Sequence, residues 1–160
     1  MNTPPMSTHE NYLREAVELA AANVAQGGRP YGAVLVRDGA VIARAANGIH
    51  LTNDPTDHAE LRALREAGQA LGTPKLEGAV MYASGRPCPM CHAAMRLAGI
   101  REGYFANSAE TAAGFGLLGA EIYAELCRPL DEQPMRLVHL DVPDAAEPYA
   151  AFRARHPAKP

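Results

Sequence analysis

The chain reads as an α/β protein built on one mixed sheet. Three observations carry that reading. A helical apolar period near the N-terminus gives way to two short strands around Asp38-Gly39, then to alternating helix and strand patterns, and finally to a terminal helix. Alternation of this kind builds one layered domain. No repeat or low-complexity tract divides it, so a single domain is expected over residues 1–160, with a polar N-terminal tail over about 1–8.

Each element has its own signal. Ser7-x-x-Glu10 has the form of a capping box, and Leu13, Ala16, Val17, Ala20, Ala21 and Val24 then recur at helical spacing until Gly27-Gly28. Gly32 to Val36 and Ala40 to Ala45 read as strands, joined by Asp38-Gly39, a two-residue hairpin signal. Asp54-Pro55-Thr56 opens a helix to about Gly68, since proline is tolerated in a first turn. Ala79 to Ala83 is a strand, Pro87 begins a helix through about Ala98, and Arg101 to Ala106 is a strand. Ala120 to Arg128 reads as helix, Met135 to Leu140 as a fifth strand, and Asp144 caps a last helix through about Arg155.

Composition narrows the class. At 48% apolar and 21% charged, the 160 residues suit an ordinary globular protein with a real core. No apolar run is long enough for a membrane span, and the start lacks a signal-peptide pattern, so the expected compartment is the cytoplasm. Net charge is −3, the lysines are Lys75 and Lys159, and no basic run exists, which weighs against a nucleic-acid partner. The cysteines are Cys88, Cys91 and Cys127, too few for a secreted disulfide scaffold.

The chemistry is concentrated in two runs, His58-Ala59-Glu60 and Pro87-Cys88-Pro89-Met90-Cys91. Cys88 and Cys91 share one helix face at a spacing of three, and a helix N-terminus favours thiolates. His58 and Glu60, two apart, serve one site only if they ring a helix opening. One imidazole and two thiolates suit zinc and leave its fourth position open to a water, whose pKa falls to about 7 in favourable zinc enzymes. Glu60 is placed to move that water's proton.

Blander readings stand beside this one. The CxxC pair also fits a redox motif, and His50, His92 or Cys127 could complete a closed structural site. Glu60 alone could be a helix-start acid, and Asn47 could simply make a turn with Gly48. Tyr31, Met90 and Met95 read as packing residues, and Cys127 as a small buried apolar one.

His-x-Glu followed by Pro-Cys-x-x-Cys is the zinc deaminase signature. The chain resembles the cytidine/deoxycytidylate deaminase superfamily, above all the branch of bacterial guanine deaminases and tRNA adenosine deaminases. The likeness spans roughly Tyr12 to Phe152. It includes Pro30-Tyr31-Gly32-Ala33-Val34, Asn47, Asp54-Pro55-Thr56-x-His58-Ala59-Glu60, the Pro-Cys-x-x-Cys run and Ala113-Gly114-Phe115.

The resemblance implies a three-layer α/β/α sandwich around a mixed five-stranded sheet. It implies zinc on His58, Cys88 and Cys91, with Glu60 as proton shuttle. Asn47, the backbone of Ala59, Arg86 and Phe115 would bind substrate. That substrate would be a free heterocyclic base such as guanine, or alternatively adenosine in tRNA. A zinc-stabilised interaction protein without catalysis and a thiol oxidoreductase are further alternatives. The resemblance also implies a homodimer whose C-terminal segment, about 144–160, reaches an active site. The chain departs from the guanine deaminase pattern at Arg86, where that group has Glu, and at Gly116-Leu117-Leu118, where it has acidic residues. It also lacks a terminal aromatic.

Overall fold

The computed structural model describes residues 7–117 and 120–156. The elements are α1 (Thr8–Ala25), β1 (Gly32–Arg37), β2 (Ala40–Ala46), α2 (Ile49–Thr52), α3 (Ala59–Leu71), β3 (Ala79–Gly85), α4 (Pro89–Leu97), β4 (Glu102–Asn107), α5 (Ala109–Gly114), α6 (Ala120–Leu126) and α7 (Glu147–Arg155). A 3₁₀ turn at Leu130–Glu132 precedes α7.

Strand order is β2-β1-β3-β4. β1 runs antiparallel to both β2 and β3, while β3 and β4 are parallel. The β1–β2 turn places Asp38 at φ 53° and Gly39 at φ 75°. Two positive φ values in sequence match the tight hairpin that suits strand twist, which is why Asp-Gly stands there.

β1 lies inside the sheet and is buried on both faces, so its apolar run is unbroken. Its alternate side chains feed two cores. Ala33 and Leu35 join Met81, Met95, Ile100 and the Ala59, Ala63, Ala67 stripe of α3. Val34 and Val36 join Tyr82 and Ala16 of α1 on the opposite face. The result is an α/β fold with helices on both sides of a mixed sheet.

Small residues permit close docking. A Cβ on Gly32 would lie 2.3 Å from the Ala16 carbonyl oxygen of α1. Ala59, Ala63 and Ala67 are all fully buried, so α3 sits close against the sheet. A larger side chain there would lever α3 outward, an overpacking cost of about 1–3 kcal/mol.

Three expectations need correction. The sheet has four strands among the described residues, not five. Met135 to Leu140 belongs to no ladder, and Leu137, Val138 and Leu140 are exposed. Its β-branched and aliphatic residues favour extended backbone, but a strand also needs a neighbouring edge.

The helix expected from Asp54 begins at Ala59. Asp54 Oδ1 instead accepts from the Thr56 N–H and hydroxyl, both at 2.7 Å, closing a local turn that competes with helix. Likewise α4 starts at Pro89 and not Pro87, with proline in its first turn.

By packing, the chain divides into two compact units, Met1–Ala124 and Glu125–Pro160. The first contains the sheet. The second contains the 3₁₀ turn and α7, whose side chains are exposed. Within it Phe152 and His156 stack with ring centroids 4.3 Å apart. No helix among the described residues is long and apolar enough to cross a membrane.

Candidate active site

The later starts of α3 and α4 decide the geometry. His58 becomes the N-cap of α3, Ala59 its first residue and Glu60 its second. Cys88 becomes the N-cap of α4, with Cys91 in its first turn. Two residues apart on a helix body, His58 and Glu60 would diverge. At the opening they serve one site.

His58 Nδ1 lies 3.5 Å from Cys88 Sγ and 3.5 Å from Cys91 Sγ, and the two sulfurs are 3.6 Å apart. Tetrahedral zinc, with bonds of about 2.3 Å to sulfur and 2.0–2.1 Å to nitrogen, separates such donors by roughly 3.5–3.8 Å. The donor triangle therefore fits zinc. These residues are the one group of three or more ligand side chains gathered at metal-binding distance among the described residues. His50, His92 and Cys127 do not join it, so no fourth ligand closes the site among the described residues. Cys127 is exposed, not buried as its type suggests.

Electrostatics agree with a cation site. The Cys88 thiol is pulled down to about 4, chiefly by the hydrogen bond from Cys91, with His58 adding to the effect. Cys91, donating to that thiolate and buried, is pushed up. A coordinating metal overcomes such a cost and deprotonates the thiol. The Cys88 hydrogen bond also raises the His58 pKa.

Glu60 is 6% exposed, and burial is the main cause of its raised pKa. A carboxyl shifted upward is suited to accept a proton and give it back.

Asn47 makes the turn weighed for it and also lines the pocket. Its Oδ1 accepts from the Ile49 N–H at 3.1 Å, which makes the turn. Its Nδ2 is buried and has no hydrogen-bond partner, although Asn47 lines the pocket. A buried unpaired donor costs about 1–3 kcal/mol until an acceptor meets it.

A cluster behind Asn47 fixes its loop. The Gly48 N–H donates to the Asp57 carbonyl at 2.9 Å, and Asp57 Oδ2 accepts from Thr52 Oγ1 at 3.1 Å. Arg65 donates to Asp57 Oδ1 at 3.3 Å, and Arg62 reaches the Ala46 carbonyl at 3.2 Å. Asp57 directly precedes His58, so this cluster ties the turn carrying Asn47 to the start of α3.

The pocket over the zinc donors has a volume of about 320 Å³. Besides His58, Glu60, Cys88 and Asn47, its wall includes Arg29, Tyr31, Arg86, Leu117 and Tyr123. Arg86 lies over the Tyr123 ring, 4.3 Å from its centroid, and the Tyr123 hydroxyl donates to the Pro87 carbonyl. Ala59 is fully buried, and as the first residue of α3 its N–H has no carbonyl partner within the helix. Phe115 is 81% exposed and does not line the pocket. Arg29 and Tyr123 carry no motif in the sequence, and only the packing of distant segments brings them to the site. Tyr31, read as a packing residue, lines the pocket.

An open three-donor zinc site beside a buried carboxyl, at paired helix starts on a mixed sheet, defines a zinc-dependent hydrolytic deaminase. Residues 6–107 match the cytidine and deoxycytidylate deaminase zinc-binding region, and the chain belongs to that family. It is 38% identical over 146 residues to guanine deaminase of Bacillus subtilis, covering 91% of this chain and 94% of that one. The solved structure of guanine deaminase from B. subtilis superposes with a TM-score of 0.88 at 36% identity, over 96% of this chain and 99% of the other. A tRNA-specific adenosine deaminase of B. subtilis is 41% identical over 100 residues, covering 62% of each chain. A protein solved in complex with 2,6-diaminopurine superposes at a TM-score of 0.67 and 27% identity, over 71% of this chain and 64% of that one.

Proposed function

We propose that this enzyme removes the amino group of a free guanine-like base by hydrolysis, and that it works in the cytoplasm as a homodimer. The observation that carries the reaction is the zinc-fitting donor triangle with Glu60 buried beside it in a pocket of base-binding size. The extent of similarity to guanine deaminase supports a free base, whereas the tRNA deaminase match spans less of either chain.

His58, Cys88 and Cys91 hold the zinc, which when bound supplies a Lewis acid and an acidified water nucleophile. Glu60 accepts a proton from the attacking water and delivers it to the ring nitrogen beside the reacting carbon. As the water oxygen bonds to that carbon, Glu60 takes the oxygen's remaining proton to the amino group, the C–N bond breaks, and ammonia leaves a carbonyl behind. Asn47 Nδ2 donates to a ring acceptor and so fixes the base's orientation. The Ala59 N–H, at the opening of α3, donates to an oxygen or nitrogen of the bound base.

The homodimer reading draws support from the C-terminal unit. Leu137, Val138, Leu140, Tyr149 and Phe152 are all exposed there, which suits a segment from about residue 144 that covers a partner's active site. The test of the reaction is ammonia release from guanine, compared with inosine formation in tRNA. Release from the base with none from tRNA supports the proposal, and the reverse result overturns it. Light scattering on the purified enzyme checks the dimer.

A further inference from the structure

Two guanidinium groups in the pocket wall are not used by the chemistry above. Arg29 lies in the connection before β1, and Arg86 directly follows β3. Both side chains are exposed and both line the cavity that contains His58 and Glu60. Neither forms an ion pair among the described residues, in contrast to Arg44, Arg62 and Arg65.

Arg86 is positioned but not neutralised. Stacking over Tyr123 at 4.3 Å orients its planar fork and leaves its charge in place. Its charge also contributes to lowering the Glu110 pKa, without an ion pair. The charge of Arg29 reaches Tyr31 and His58, where it opposes the upward shifts of both groups.

The charge count of the wall follows. Zinc with two thiolates and a neutral imidazole sums to zero. Glu60 is the one carboxylate in the wall, against two arginines. With Glu60 ionised, a neutral base would leave one net positive charge in the wall.

We propose that Arg29 and Arg86 form an anion subsite, so that the substrate is an aminated heterocycle bearing an anionic oxygen group, a carboxylate or a phosphate. This rests on the deaminase reading and narrows its substrate. The planar fork of arginine pairs with such oxygens in a bidentate, charge-assisted way. The cavity volume of 320 Å³ is near the small end for ligand sites, which favours a carboxylate attached directly to the ring over a ribose phosphate.

The test uses the zinc-loaded enzyme and matched pairs of compounds: pterin against pterin-6-carboxylate, and guanosine against guanosine monophosphate. The expected result is a kcat/KM at least about tenfold higher for an anionic member than for its neutral partner, shrinking as salt is added. The first pair reports a carboxylate and the second a phosphate. In Arg29→Gln/Arg86→Gln the ratio falls to about one, while Arg86→Lys alone keeps part of it.

Titration of the deaminated product lumazine-6-carboxylate gives a readout independent of turnover. Its Kd should rise about tenfold in the double variant, with zinc content unchanged. A ratio at or below one in the native enzyme for both pairs, or a ratio unchanged in the double variant, overturns the subsite. Turnover of guanine without any anionic preference leaves the deaminase reading intact and removes only this inference. No ammonia from any compound removes both.

Discussion

His58, Cys88 and Glu60 line the same pocket as Arg29 and Arg86, but the two sets are held by different means. The first three are set by helix starts, and Glu60 and the neighbouring Cys91 are buried, so backbone geometry determines where their reactive atoms lie. The two arginines are long, exposed side chains on connections. Stacking on Tyr123 orients Arg86, and Arg29 lies over no aromatic ring among the described residues. The difference separates two problems. The reaction depends on atoms that tolerate little displacement, while substrate choice depends on groups replaceable without disturbing the core.

Removing a zinc donor should give the largest effect. Cys91→Ser is expected to lower bound zinc well below one per chain and activity on the order of a thousandfold or more. Metal analysis beside an ammonia assay checks it, and full zinc with full activity would break the donor assignment.

Next comes Glu60→Gln, which keeps the shape and removes the base. Turnover should fall about 10²–10⁴-fold with zinc retained. Parallel loss of the metal would instead make Glu60 part of the site's scaffold.

Asn47→Ala tests recognition of the base. If Nδ2 meets the base, kcat/KM should fall about 5–150-fold, the equivalent of about 1–3 kcal/mol. Steady-state kinetics with a thermal melt separate lost recognition from a loosened turn.

The smallest effect belongs to Cys127→Ser. This exposed cysteine is not one of the three gathered donors, so zinc content should hold and stability should stay within about 0.5 kcal/mol. A fall in zinc would revive a fourth protein ligand.

Local signals were legible in the sequence where one short segment determines its own structure. The Ser7–Glu10 capping box forms, and Asp38-Gly39 makes the tight hairpin. The donor set could be read because few residue types bind zinc at such spacing. The start of α3 was misplaced because Pro55 suits a first helical turn, whereas the Asp54–Thr56 hydrogen bonds divert the backbone. Met135 to Leu140 has strand-forming residues, but pairing is a tertiary event. Arg29 and Tyr123 were missed for the same reason: only folding brings them, far apart in sequence, to one cavity.

Gly48 has a consequence for how the enzyme could change over time. A Cβ there would lie 2.1 Å from Asp57 Oδ2 and 2.5 Å from Arg62 Nη1. Any side chain at residue 48 would therefore disturb Asn47 on one side and His58 on the other in a single step. The turn that carries Asn47 and the start of α3 are thus coupled through this one position. New substrate preferences have an easier route through Arg29 and Arg86, where a replacement meets solvent before it meets the core.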